Sequence, residues 1–427
     1  MTSTEIVDDQ LNHTGAPGDG CHGRCLDFVS VAHSTDPAVQ LRVRTRPNFE
    51  SAGQRLRVVD LFSGCGGLSL GIAQASIATG ASIDVRLALD SESVATDVYK
   101  ANFPGARVVT DSVLSVFDGE GAAPPTNAER TLAEELGPID FLVGGPPCQG
   151  HSNLNNRTRR SDPKNDLYLS MARAARVLRP RVVVIENVPA VRLATADVVR
   201  AVAADLESQK YKVATTVVGM HALGVAQLRK RHVLLAIRPD GPDPEAVLAR
   251  LTGATGLPAM NLRSAIGDLE HMSDRKGFDL IPVASPTNLQ RMRYLLDRDL
   301  YDLPNAQRPA CHQGNHSYKS MYGRLDWSLP AQTITSGFGS IGQGRYMHPS
   351  QTRALTAHEA ARLQGFPDYF SFESVVRRSD LATMIGNAVP PALMRALTAE
   401  LISYVTSSSK QQSSREEIAP AGAALAS

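Results

Sequence analysis

Cys148 is placed for chemistry by what precedes it. The run 141–152, FLVGGPPCQGHS, reads as an apolar strand that ends in two glycines and two prolines before presenting the thiol. Pro146 and Pro147 each fix their own φ and lack an N–H, so they set the direction in which Cys148 and Gln149 project. A free cysteine is most often a small buried hydrophobe, but this one follows its strand instead of sitting in it. A second group has the same placement: the β-rich run 181–185 ends in Glu186-Asn187-Val188-Pro189, a carboxylate at a strand end. Asn187 suits a structural hydrogen bond; Glu186 suits one less well. The third group is Gln227-Leu228-Arg229-Lys230-Arg231, which feeds a strand expected at 232–237. Arg229 and Arg231, two apart, share one face of an extended segment, where they can meet a phosphate or a base carbonyl.

These groups need a scaffold that gathers strand ends, and the chain from Arg57 onward supplies one. VVDLF is followed by Ser63-Gly64-Cys65-Gly66-Gly67 and an apolar helical run through Leu68, Ile72 and Ala75, the strand, glycine turn and helix of an α/β unit. Glycines let a ligand approach the backbone, and the helix start offers free N–H groups. The next strand, 84–89, ends in Asp90, 23 residues beyond Gly67, a spacing that suits an acid bonded to a ribose diol; a cap on the following helix is the plainer role. A third strand, 106–110, ends in Asp111. Gly, Asp and Asp on three successive strand ends read as a nucleoside pocket. Further strands are expected at 181–185 and 212–219, and helices at 166–178, 197–206 and 356–364 and from about 392 to 404. Arg157, Arg159, Arg160 and Lys164 make the loop after Cys148 basic, which suits phosphate contact.

At 427 residues and 42% hydrophobic, the chain can bury a full core and a smaller second domain. Its 44 Lys and Arg against 43 Asp and Glu leave a net charge of +1, so any nucleic-acid contact must come from local clusters and not a global field. The cysteines, at 21, 25, 65, 148 and 311, form no regular framework, which points to a reducing compartment without disulfides. Cys21 and Cys25 around His22, and Cys311-His312 with His316, are too sparse for a zinc site. No apolar run reaches the ~18 residues of a membrane span, and a cytoplasmic monomer is expected. Residues 1–54 read as a flexible leader, 55–238 as the ligand-binding domain, 239–325 as an irregular smaller domain, 326–405 as a return to the first, and 406–427 as a disordered tail.

In this order and spacing the chain resembles the DNA (cytosine-5) methyltransferases. Pro147-Cys148-Gln149 is similar to their nucleophile motif, Glu186-Asn187-Val188 to their ENV motif, and Gln227, Arg229 and Arg231 to QxRxR. Asp60-Leu61-Phe62-Ser63-Gly64 with Gly66-Gly67 resembles the S-adenosylmethionine loop. Glu359 to Gln364 with Gly365-Phe366-Pro367, and Gly386-Asn387 with Val389, resemble the last two motifs. The resemblance implies a Rossmann-like S-adenosylmethionine-dependent sheet, with 239–325 as target-recognition domain and the final helix packed beside the first motif. It implies cofactor contacts from Asp60, Phe62, Ser63, Gly64, Gly66, Gly67, Asp90, Asp111, Pro147, Asn387 and Val389. Gln149, Ser152, Arg157, Arg159 and Gln227 would face double-stranded DNA, and Cys148, Glu186, Arg229 and Arg231 would carry the chemistry on a flipped-out cytosine. A cognate restriction or defence system would be the partner. Three positions depart from the pattern: Asp90 where Glu is more frequent, His151 where Phe is usual, and His358 where Arg is common. A tRNA cytosine-5 methyltransferase is the nearest alternative. A silent DNA-binding regulator would lack the nucleophile, the ENV glutamate or a cofactor glycine, and all are present.

Overall fold

The computed structural model describes residues 36–50, 53–147, 164–193, 198–253, 259–272, 276–313 and 320–416. Cys148, Gln149, His151, Ser152, Arg157, Arg159, Arg160, His316, the Cys21–Cys25 run and the rest of the leader before Asp36 lie outside them.

Apolar runs with turns at both ends become a seven-stranded sheet: β1 (Arg55–Leu61), β2 (Ser82–Asp90), β3 (Val108–Thr110), β4 (Phe141–Gly144), β5 (Val182–Asn187), β6 (Lys212–Gly219) and β7 (Lys230–Ile237). Their order is β3-β2-β1-β4-β5-β7-β6. β1 to β5 pair in parallel, whereas β7 runs antiparallel to both β5 and β6. The central strands β4 and β5 are buried on both faces, which is why they read FLVG and VVVI without alternation. One face carries the helix Gly67–Ala78, the helix Ser93–Asn102 and the C-terminal helix from Ala392. The other carries the helices Lys164–Leu178 and Val198–Ser208. The order turns back at β1, whose neighbours are β2 and β4, so a crevice opens beyond the carboxyl ends of β1 and β4. The glycine loop leaves β1 there, and the Pro146-Pro147 turn leaves β4.

The C-terminal helix and the turn that leads into it close against the helix Gly67–Ala78 at glycines. A Cβ on Gly71 would lie 2.1 Å from the Pro391 carbonyl oxygen, and one on Gly67 would lie 2.3 Å from that of Val389.

Three boundaries differ from those expected. The leader's end is packed: Asp36 caps the helix Pro37–Leu41, and Ala38, Leu41 and Phe49 enter the core. The boundary at 239 falls inside the main body, because the helix Pro244–Gly253 places Val247, Leu248 and Leu251 in the same core. A separate apolar cluster begins at Ala284 and holds Met292, Leu295, Leu303, Tyr322, Ile341, Met347 and Ala354. The last helix runs from Ala392 to Glu416 instead of stopping near 404. Extending an established helix needs no new nucleus, so a polar run of Ser, Lys, Gln and Glu can continue one. Among the described residues, no helix is long and apolar enough to cross a membrane.

Candidate active site

The loop after β1 is left-handed at Phe62, Gly64 and Gly66, with φ of 54°, 52° and 96°. Gly66 is the N-cap of the helix Gly67–Ala78. No atom lies within 4 Å of where a Gly64 Cβ would be, so the loop faces open space there. Asp90 braces it. Its Oδ2 accepts from the Gly64 N–H at 2.8 Å and its Oδ1 from that of Glu92 at 2.9 Å. The plainer role of helix cap therefore belongs elsewhere: Glu92 occupies the N-cap of Ser93–Asn102, without a side-chain bond. Asp111 lies just past β3, where hydrogen bonds from the Ser115 hydroxyl and the Ser112 N–H hold its carboxyl below the usual range.

Beneath the loop, Asp60 is fully buried. The Ser69 hydroxyl donates to its Oδ2 at 2.6 Å and Tyr99 donates to Ser69 at 2.6 Å, but Oδ1 has no hydrogen-bond partner. Burial, with Asp90 nearby, pushes the Asp60 carboxyl up to about 8. Ser63 is also buried, with its hydroxyl unpartnered. Cys65 lies in this loop too, and burial pushes its thiol up to about 12, which makes it a poor nucleophile.

The second half of the crevice is formed by the ends of β4, β5 and β7. Asn187 donates to the Pro146 carbonyl at 3.2 Å and accepts from the Val188 N–H at 2.7 Å. It thereby ties the end of β5 to the turn from which Cys148 departs. Glu186, 5% exposed, is ion-paired with Arg231, whose Nε lies 2.5 Å from its Oε1. Gly145 is the residue that lets these groups converge: a Cβ there would lie 3.1 Å from Glu186 Oε2 and 3.6 Å from Val389 Cγ2. Val389 in turn sets its carbonyl against Gly67, so one residue touches both the cofactor-type loop and the carboxylate pocket. Asn387 is exposed at the end of the helix Arg378–Asn387, and Pro147 is exposed at the last described position before the thiol.

Gln227 and Arg229 are corrections. Gln227 is fully buried: its amide donates to Leu363 O and Gln364 Oε1, and its oxygen accepts from the Ile334 N–H. Arg229, 2% exposed, donates to the carbonyls of Ile334 and Gly386. Both side chains are buried and join β7's approach to the segments at 334, 364 and 386. The sequence does not single out Gly145 or the Ser69–Tyr99 pair, whereas Asn187 makes the structural hydrogen bonds expected of it. The doubled glycine at 144–145 was the available signal for the first. Nothing in sequence marks Ser69 and Tyr99, which meet Asp60 only through helix packing.

The profile of the C-5 cytosine-specific DNA methylases matches residues 56–403. The chain belongs to that family. It is 40% identical over 357 residues to the Type II methyltransferase M1.BsuMI of Bacillus subtilis (strain 168), covering 83% of this chain and 82% of that one. The Type II methyltransferase M.DdeI of Desulfomicrobium norvegicum is 27% identical over 397 residues, covering 82% and 89%. The solved S. pombe Dnmt2 methyltransferase superposes with a TM-score of 0.56 at 17% identity over 83% of this chain and 100% of its own, a likeness that concerns the fold. The sheet is that of an S-adenosylmethionine-dependent methyltransferase, and this DNA methylase is an enzyme of a family that takes its methyl group from S-adenosylmethionine. Its residues fit that donor. The loop leaves open space over Gly64, Asp60 Oδ1 and Ser63 Oγ are buried polar atoms without partners, and Asp90 and Asp111 bring carboxylates to the adjoining strand ends.

Proposed function

We propose that the enzyme methylates C5 of cytosine within one short sequence of double-stranded DNA, through a covalent bond between Cys148 and C6 of a flipped-out base. The observation that supports this most is the proximity of Glu186 and Arg231, 2.5 Å apart, beside a turn held by Asn187. N3 and O2 are neighbouring atoms on one edge of cytosine, and a carboxyl group next to a guanidinium matches that edge. The glycine loop, Asp90 and Asp111 would hold S-adenosylmethionine, which when bound supplies an electrophilic methyl group to C5.

C5 of cytosine is too weak a nucleophile unaided. The Cys148 thiolate adds to C6, and the electron pair displaced through the ring is received at N3 by the proton of Glu186 while Arg231 bonds O2. C5 thereby gains enamine character. After methylation, loss of the C5 proton re-forms the C5–C6 double bond and expels Cys148, and return of the N3 proton to Glu186 leaves a neutral aromatic ring. A thiol of ordinary pKa, ~8.5, is only slightly ionised at neutral pH, so Cys148 must lose its proton on attack or in its site. Reaching C6 requires taking the base out of the stack, at a cost of a few kcal/mol that phosphate contacts must offset. The basic loop containing Arg157 and Arg159, with Gln149 and Ser152, would make such contacts.

Sequence recognition is assigned to the second cluster, from Ala284 to Ala354. Of the arginines there and just before it, Arg263 is paired with Glu270 and lies over Trp327, and Arg291 is bonded to Gln307 O and Asn288. Arg298 lies over Tyr294. Arg293 is exposed on the helix Pro286–Asp297, which favours it as the reader of a guanine. The Type II relatives support a cognate restriction enzyme as partner, with the reaction taking place in the cytoplasm.

Two measurements test this. A duplex carrying 5-fluorocytosine, whose fluorine cannot leave as a proton, should trap wild type and not Cys148→Ala, and mass spectrometry should place the adduct on Cys148. Bisulfite sequencing of an unmethylated host expressing the enzyme should show one short marked motif. An adduct on another cysteine would sink the nucleophile, and an unmarked genome beside a newly methylated tRNA would replace DNA by tRNA as substrate.

A further inference from the structure

His358 lies in the first turn of the helix Ala357–Leu363, with both ring nitrogens facing carboxylates. Nδ1 is 2.9 Å from Asp279 Oδ1 and Nε2 is 2.9 Å from Asp368 Oδ1. A neutral imidazole donates from one nitrogen only and would aim the lone pair of the other at an anion. The arrangement is therefore that of an imidazolium. Burial by itself would push the ring down, but the hydrogen bonds to Asp279 and Asp368 outweigh it and hold His358 above its ordinary 6.5.

The charges around it are three carboxylates and three guanidiniums. Arg362, one turn along the same helix, forks onto Asp368 and reaches Asp268. Arg42 contacts Asp268 at 3.2 Å and Arg44 lies 3.9 Å from Asp368. The desolvated Asp368 is nonetheless held at about 2 by His358 and Arg362. Asp368 thus keeps an arginine whatever His358 does, whereas Asp279 has His358 as the cationic partner the structure gives it. The ring is covered by Phe278, stacked at 5.2 Å.

Where Asp279 lies decides the consequence. Phe278 packs against the main core and Ala284 against the second cluster. Between them Leu280, Ile281 and Val283 are 53%, 39% and 95% exposed, and Pro282 alone is buried. Asp279 is thus held by an ion pair at the point where the chain leaves the main core and, by way of the buried Pro282, crosses to the second cluster.

We propose that His358 is a positioning residue that, as imidazolium, clasps Asp279 to the catalytic body and fixes the start of the DNA-reading cluster, so that its deprotonation loosens that cluster and weakens sequence-specific binding. The proposal rests on the recognition role given above to that cluster. The clasp is complete below the ordinary histidine value and is lost as pH rises through the raised one.

The test compares wild type with His358→Arg, a permanent cation, and His358→Gln, a neutral donor, at about pH 6, below the ordinary histidine value, and at about pH 8.5, well above it. Hydrogen exchange in the free full-length protein, corrected for intrinsic rates, should show peptides over 277–289 losing protection at the higher pH in wild type. His358→Arg should stay protected at both, and His358→Gln at neither. The Kd for a duplex bearing the motif mapped by bisulfite sequencing should rise by at least about fivefold in wild type, beyond any rise for a scrambled duplex, and stay level in His358→Arg. Exchange that ignores pH in wild type, or that depends on it equally in His358→Arg, overturns the clasp. Exchange that follows pH beside a level Kd overturns its coupling to recognition. The exchange arm needs no DNA, so a wild type that marks no DNA counts against the proposed function and leaves the clasp to be judged separately.

Discussion

Gly71→Ala tests whether the closure of the C-terminal helix onto the helix Gly67–Ala78 holds the site together. Two effects oppose each other. Gly71 lies inside the helix Gly67–Ala78 with no positive φ, so alanine should favour the helix by about 1 kcal/mol. Its Cβ, however, would lie 2.1 Å from Pro391 O, 2.8 Å from Arg395 N and 2.9 Å from Met394 Cβ. Two of these are backbone atoms that no rotamer change can move, so the C-terminal helix must retreat by about 1 Å, an overpacking that typically costs about 1–3 kcal/mol. The clash should win, by about 1 kcal/mol, which lowers Tm by about 2–4 °C in mid-sized domains and somewhat less in a chain this long. The retreat also draws back Val389, which touches Gly67 through its carbonyl and the Gly145–Glu186 pocket through its side chain. Calorimetry should therefore show weaker S-adenosylmethionine binding. Gly253→Ala is the control, at the end of a helix with nothing within 4 Å of the added atom, and it should hold or raise Tm. A Gly71→Ala protein as stable as Gly253→Ala, with unchanged cofactor affinity, would refute the reasoning.

Glu186→Gln keeps a hydrogen-bonding side chain but loses the carboxyl proton, so single-turnover methylation should slow by about 10²–10⁴, the usual worth of a general acid, with DNA and cofactor affinity little altered; an unchanged rate would remove the acid role. Asp60 has its folded value raised to about 8, so its neutral form is favoured and stability is lost as pH rises from the unfolded value of 3.8 through about 8. Asp60→Asn should accordingly gain in Tm over wild type as the buffer goes from about pH 5 to about pH 9, by no more than about 4 kcal/mol in stability at 1.36 kcal/mol per unit, and a gap that narrows with pH would contradict this. Arg293→Ala should relax one base pair of the methylated motif by about 1–3 kcal/mol, read as a degenerate position in bisulfite maps, whereas an even loss of methylation over all sequences would make Arg293 a phosphate contact.

The sequence by itself determined the order of the elements and the placement of the chemistry. Apolar runs ending in glycine, Asp90, Pro146-Pro147 and Glu186 became strand ends on one edge, because burial on both faces makes a parallel strand continuous in apolar residues and its polar terminator conspicuous. The segment 227–231 shows where that legibility stops. Its alternation is as expected, with Gln227 and Arg229 buried and Leu228 and Lys230 outward. Yet along that one face Arg231 reaches Glu186 while Gln227 and Arg229 are covered by residues 334, 363–364 and 386, more than a hundred positions away. Periodicity fixes which face a side chain takes; only tertiary packing decides what lies against that face. The same holds for the helix Pro244–Gly253, whose apolar positions become core only because the sheet and the C-terminal helix are beside them. It holds for His358 as well, in sequence only a departure at a position where Arg is common, which becomes an imidazolium because Asp279 and Asp368 converge on it from 79 and 10 residues away.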